Sequence, residues 1–162
     1  MKRIQKRIWA CVLFTVVCFV VGGISSLFQT EALQEWYPML IKSPLTPPAL
    51  AFPIAWSLLY VCVGISGGLT ATSHSSVHRR ALRLWAAQLG FNFAWSLLFF
   101  LFRNPLLGML DIVTLDVLVL LYLRLTLRHI RPAGWLFVPY LLWLLFATYL
   151  NGYVLVANGT GF

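Results

Sequence analysis

Acidic residues are almost missing from this 162-residue chain. Glu31, Glu35, Asp111 and Asp116 are the whole set, against twelve Lys and Arg. Charged residues make up only 10% of the sequence and hydrophobic residues 60%. So little charge excludes a soluble domain and points to a membrane protein. Cysteine is scarce as well. Cys11, Cys18 and Cys62 are odd in number and lie within apolar runs, which excludes a disulfide framework and suits small apolar fillers. There is no Gly-rich phosphate loop, no dinucleotide fingerprint and no Ser/His/Asp arrangement of convergent spacing. Nothing in the sequence requires an enzyme. His74 and His78 stand four apart in a Ser-rich stretch without a third ligand, so neither a metal nor a required cofactor is expected. The net charge of +8 would suggest nucleic acid in a soluble protein. Here membrane orientation accounts for it, and no nucleic-acid partner is expected.

What the chain has is five apolar runs, at about 8–28, 49–72, 84–102, 106–123 and 135–157. Each is roughly 18–24 residues long, enough to cross ~30 Å of hydrocarbon as a helix. None contains Lys or Arg. The first, at about 21 residues, exceeds the 7–15 of a signal-peptide core and reads as a retained span. The basic residues alternate in step with the crossings. Lys2, Arg3, Lys6, Arg7, Arg79, Arg80, Arg83, Arg124, Arg128 and Arg131 fall on one side, and only Lys42 and Arg103 on the other. This predicts an all-α, five-transmembrane-helix bundle, a single domain over 1–162, with its N-terminus cytoplasmic and its C-terminus outside. The basic side also suits anionic lipid headgroups. Helical spans favour a bacterial inner (cell) membrane over an outer one.

The first loop, 29–48, is the longest connection. It carries Glu31, Glu35, Trp36, Tyr37, Pro38, Pro44, Pro47 and Pro48. Prolines preclude one continuous helix there, and the aromatics suggest an ordered lid. Within the spans, angles of about 100° per residue separate two kinds of face. With Gln88 at zero, Asn92 lies near 40° and Trp95 near −20°, while Ala86, Gly90 and Ala94 cluster near 200°. The first face suits an interior site. The second is a small-residue stripe that suits close helix packing, within the monomer or in a homodimer. Gly64 and Gly68 form a further small stripe. Trp143, Ala147 and Leu150 share a face of the fifth span, with Tyr140, Asn151 and Asn158 on its flank. Pro53, Trp56 and Tyr60 share a face of the second. A pocket lined by Trp56, Asn92, Trp95, Trp143 and Ala147 would take a flat, apolar ligand with one or two polar groups. The same residue types also serve interhelical packing.

Two carboxylates lie in the fourth span, where each needs a reason. Asp111 is near the start of the predicted helix and is expected to cap or face water. Asp116 is deeper and is expected to make a structural hydrogen bond, with proton titration as the alternative.

Several separated blocks carry a family resemblance. They are Pro44-Leu45-Thr46-Pro47-Pro48, Phe52-Pro53, Trp56-Ser57-Leu58-Leu59-Tyr60, Gln88-Leu89 with Asn92 and Trp95, and Pro139-Tyr140-Leu141 through Trp143-Leu144, Phe146-Ala147-Thr148, Leu150-Asn151, Val154 and Asn158. In order and spacing they resemble the translocator protein family (TspO, the tryptophan-rich sensory proteins, or peripheral benzodiazepine receptor family) over about residues 36–158. The resemblance implies a five-helix bundle, usually dimeric, that binds porphyrins, haem-related tetrapyrroles, sterols and drug-like ligands beneath the first loop. It maps the pocket onto Tyr37, Pro47, Phe52, Trp56, Asn92, Trp95, Trp143, Ala147 and Leu150, and places Asp111 at an acidic family position. Two alternatives stand beside a receptor or carrier. One, which the resemblance implies, is light-dependent porphyrin breakdown involving the pocket tryptophans. The other, suggested by Asp111 and Asp116 themselves, is a proton-coupled small transporter. Two features depart from the pattern. Leu45-Thr46 stand where the family often has Trp. The residues after Tyr153, up to Asn158, include no Lys or Arg, unlike the sterol-recognition stretch of animal members. The second departure points to a bacterial-type member.

Overall fold

A computed structural model describes residues 2–159 of the chain. Among these residues the regular structure is helical: α1 (Lys2–Glu35), α2 (Ala51–Ala71), α3 (His78–Ser96), α4 (Pro105–His129) and α5 (Arg131–Asn158). All five, counting a π-helical continuation of α3, are long and apolar enough to cross a membrane. The protein is an integral, multi-pass membrane bundle.

The helices overrun the apolar runs that announce them. Membrane thickness limits the apolar part of a helix, but backbone hydrogen bonding does not stop at the interface. α1 has 34 residues, or about 51 Å at 1.5 Å per residue, and it absorbs the first part of the expected first loop. Nothing between Gln29 and Glu35 breaks a helix, and the first proline is Pro38. The loop proper is therefore 36–50, with one 3₁₀ turn at Tyr37–Met39. Arg79, Arg80 and Arg83 lie on the first turns of α3, and Arg124 and Arg128 on the last turns of α4. A single residue, Ile130, joins α4 to α5. The ten basic residues still gather at one end of the bundle.

At the opposite end α3 widens into a π-helical turn, Leu97–Leu101, in which Phe102 N donates to Leu97 O at 2.8 Å. Arg103 follows with φ of 50°, and Asn104 then caps α4 by accepting from Leu107 N at 3.0 Å. Pro105 takes the first helical position, where no donor is lost. The Arg103 guanidinium reaches back to Glu31 at 2.6 Å and Glu35 at 3.4 Å, joining this turn to the end of α1. Exposed pairs of this kind contribute at most about 1 kcal/mol.

The neighbouring helix pairs close a ring in the order α1, α2, α5, α4, α3. On the α1–α2 side the small stripe of α2 lets the backbones touch. A Cβ at Gly64 would stand 2.3 Å from Thr15 Cα, and one at Gly68 2.4 Å from Cys11 Cα. That stripe therefore serves packing within the chain. At the basic end, Ser66 donates to Ala133 O at 2.7 Å, and the Tyr122 hydroxyl sits 2.8 Å from Ser66 and 2.7 Å from Thr70. This buried network ties α2, α4 and α5 together with its hydroxyls satisfied, as a low-dielectric interior demands.

Candidate functional site

α3 and α5 face each other across the ring, and side chains span the gap between them. Asn92 Nδ2 donates to Tyr140 Oη at 3.2 Å. Trp95 Nε1 donates to Asn151 Oδ1 at 3.0 Å, and Asn151 Nδ2 donates to Pro105 O at 2.8 Å. From α2, the Trp56 ring packs edge-on against Tyr140, centroids 6.3 Å apart, and Phe52 packs against Trp143 at 6.0 Å. Trp85 Nε1 donates to Val63 O at 2.9 Å and closes the α2–α3 side. Trp56 and Asn92 thus meet at Tyr140, Trp95 reaches Asn151 of the same helix, and Trp143 packs on α2 at Phe52. Ala147 follows Trp143 by one turn of α5 and is half-buried, as is Leu150.

The interior is filled with rings, in two clusters. Trp56 and Trp143 border the cluster that holds Leu59, Tyr140 and Leu144. Tyr37 and Trp95 join Trp36, Leu40, Phe99 and Phe100, with the Trp95 ring stacked on Phe99 at 5.1 Å. The π-helical turn buries both Phe99 and Phe100 here. Pro47 is half-buried in the loop. Two open clefts lie elsewhere on the surface. One, of about 740 Å³, runs along α4 and α5 past Met109, Thr148, Tyr149 and Tyr153. The other, of about 500 Å³, lies between α1 and α2.

Residues 36–50 cover the lid end, and α5 holds them down. The Asn158 carboxamide pairs with the Ile41 peptide as a strand would. Ile41 N donates to Asn158 Oδ1 at 2.8 Å, and Asn158 Nδ2 donates to Ile41 O at 2.9 Å. Two residues on, the Ser43 and Tyr149 hydroxyls lie 2.9 Å apart. Lys42 donates to Tyr37 O at 2.9 Å and stands 4.8 Å over the Tyr37 ring, a cation–π contact. Burial pushes the Tyr37 hydroxyl above its ordinary pKa.

The two span-four carboxylates are both buried. Asp111 does not cap α4. That role belongs to Asn104, because the helix starts at Pro105 and leaves Asp111 well inside it. Asp116 Oδ2 accepts from Thr148 Oγ1 at 2.7 Å, the interhelical bond expected of it. Ala86 and Gly90 are exposed and Ala94 is half-buried. A Cβ on Gly90 would meet nothing within 4 Å, so this stripe lies on the outer face of the bundle. Tyr140, Asn151, Ser43, Tyr149 and Asn158 were not singled out as site residues by sequence. For Tyr140, Asn151 and Asn158 the available signal was a polar group on an otherwise apolar fifth span.

Fold and site together define a class: a five-helix membrane protein with an aromatic, sparsely polar interior beneath a tethered loop. The model of the TspO/MBR family matches residues 14–157. The tryptophan-rich protein TspO of Archaeoglobus fulgidus is 38% identical over 138 residues, covering 85% of this chain and 90% of that protein. The protein of the same name in Chlorobaculum tepidum is 34% identical over 157 residues, or 95% and 99%. The translocator protein of Ovis aries is 32% identical over 141 residues, or 85% and 83%. The chain belongs to the TspO/MBR family.

Proposed function

We propose that the protein is a membrane receptor or carrier that binds porphyrins and other flat apolar molecules, sterols and drug-like compounds included, between α2, α3 and α5. The reading is supported by one arrangement above all. Trp56, Asn92 and Trp95 come from two helices to meet Tyr140 and Asn151 of a third, below a loop held by buried Trp36 and Leu40 and by hydrogen bonds to α5. Rings supply stacking area at low entropic cost, and the few amides orient the ligand. Tyr37, Pro47 and Phe52 belong to the roof, and Trp143, Ala147 and Leu150 to the α5 wall. Entry requires the loop to lift and the rings to part. The orientation proposed is N-terminus in the cytoplasm of a bacterial cell. The outward stripe Ala86, Gly90 and Ala94 is proposed as the contact of a homodimer. Titration of the purified protein with protoporphyrin, followed by quenching of tryptophan fluorescence, tests the reading. Saturable quenching that weakens when Trp56 or Trp143 becomes Leu supports it. Quenching that never saturates, or that both variants leave unchanged, refutes it.

A further inference from the structure

Gln88 is an anomaly in this interior. Its side chain is fully buried, at 0% exposure, yet neither Oε1 nor Nε2 finds a partner in the protein. The other amides near it are committed. Asn151 accepts from Trp95 and donates to Pro105 O, and Asn92 donates to Tyr140. Among the described residues, Gln88 is the one buried carboxamide with neither its donor nor its acceptor paired.

Its direction is fixed by its neighbours on α3. Around the helix axis Gln88 lies between Trp95, about 20° to one side, and Asn92, about 40° to the other. Both of those side chains bond α5 across the ring. Gln88 therefore lies on the same face of α3, one turn or about 6 Å from Asn92 toward the basic end. Trp85, on the turn before it, seals that side by bonding Val63 O. An unpaired amide in hydrocarbon is costly, whereas a leucine of similar volume would be free of that cost.

We propose that Gln88 is the polar anchor at the floor of this site. The ligand group it reads is one that presents an acceptor beside a donor: a carboxamide, a lactam or a protonated carboxylic acid. Such a group closes two hydrogen bonds with the Gln88 amide edge to edge. An ester or ketone can take the Nε2 proton but leaves Oε1 facing lone pairs. A site built to pair both groups discriminates against the ligand that satisfies one. This rests on the reading that the α2–α3–α5 interior takes a flat apolar ligand.

The experiment uses two neutral tetrapyrroles of matched shape, the diamide and the dimethyl ester of protoporphyrin, titrated against the full-length protein in detergent. Wild type is expected to favour the diamide by about tenfold or more. In Gln88→Leu the ratio is expected to fall to within about twofold. The ligand-free Gln88→Leu protein should also melt at a higher temperature than wild type, because the unpaired amide is gone. Gln88→Met repeats both readouts if the leucine variant misfolds. An equal ratio in wild type and variant overturns the proposal, and so does a wild-type ratio near one. Either result would leave Gln88 with a structural role, such as holding a buried water. Should neither tetrapyrrole bind wild type, the pocket reading fails first and this inference falls with it.

Discussion

Replacing Asn158 with alanine removes both hydrogen bonds that hold the Ile41 peptide to α5. A net contribution of roughly 0.5–1.5 kcal/mol is typical for one such bond. Ile41 is 59% exposed, so water replaces part of what is lost and the pair together stabilises closure by about 1–2 kcal/mol. At about 1.4 kcal/mol per tenfold, opening of the loop becomes roughly five to thirty times more frequent. The bundle itself should not suffer, because Asn158 is the last residue of α5 and its remaining side-chain bond, to Val154 O, is local. Two readouts follow. Hydrogen exchange of the amides around Ile41 should accelerate by that factor, while those of α2 and α4 stay unchanged. The dissociation rate of bound protoporphyrin should rise in step. Ser43→Ala, which frees Tyr149, should act in the same direction. Unchanged exchange at Ile41 together with an unchanged off-rate would refute the idea that these tethers set the loop equilibrium.

Ala147→Thr adds volume and a hydroxyl to the α5 wall, at a typical cost of ~1–3 kcal/mol. A bulky ligand should therefore bind about tenfold more weakly to folded protein, and Trp143→Ala should weaken porphyrin by loss of ring contact. Changes below twofold for both, measured by fluorescence titration, would make these residues packing alone. Gly68→Ala places a Cβ 2.4 Å from the Cys11 backbone and should lower the melting temperature sharply, whereas Gly90→Ala meets nothing and should raise it slightly. Gly90→Leu should weaken any dimer in native mass measurements while leaving ligand affinity intact. A reporter fused to the C-terminus should be active only outside the cytoplasm, and cytoplasmic activity would reverse the proposed orientation.

The spans, their order and the basic end were legible because membrane insertion writes itself into hydropathy and charge. The helix ends were not, since α1 continues to Glu35 on polar residues that carry no apolar signal. The faces of α3 and α5 were legible from angle alone, which is why Asn92 and Trp95 both reach across to α5, at Tyr140 and Asn151. Partners were not. Nothing in the sequence says that Trp95 chooses Asn151, or that Asn158 reaches Ile41 across 117 residues. The two small stripes look alike in sequence and differ in fate. Gly64 and Gly68 press on α1, while Gly90 looks outward, and only the packing of neighbours decides which. The apolar run from Leu106 makes Asp111 look like a cap, but it hides the residues that begin the helix, Asn104 and Pro105.

The most direct test of the central claim is an experimental structure of the protein with protoporphyrin bound. The expected result is a porphyrin between α2, α3 and α5, in contact with Trp56, Asn92 and Trp143 beneath residues 36–50. A porphyrin lying instead in the outer cleft along Met109, Tyr149 and Tyr153, with the interior rings undisturbed, would contradict the account.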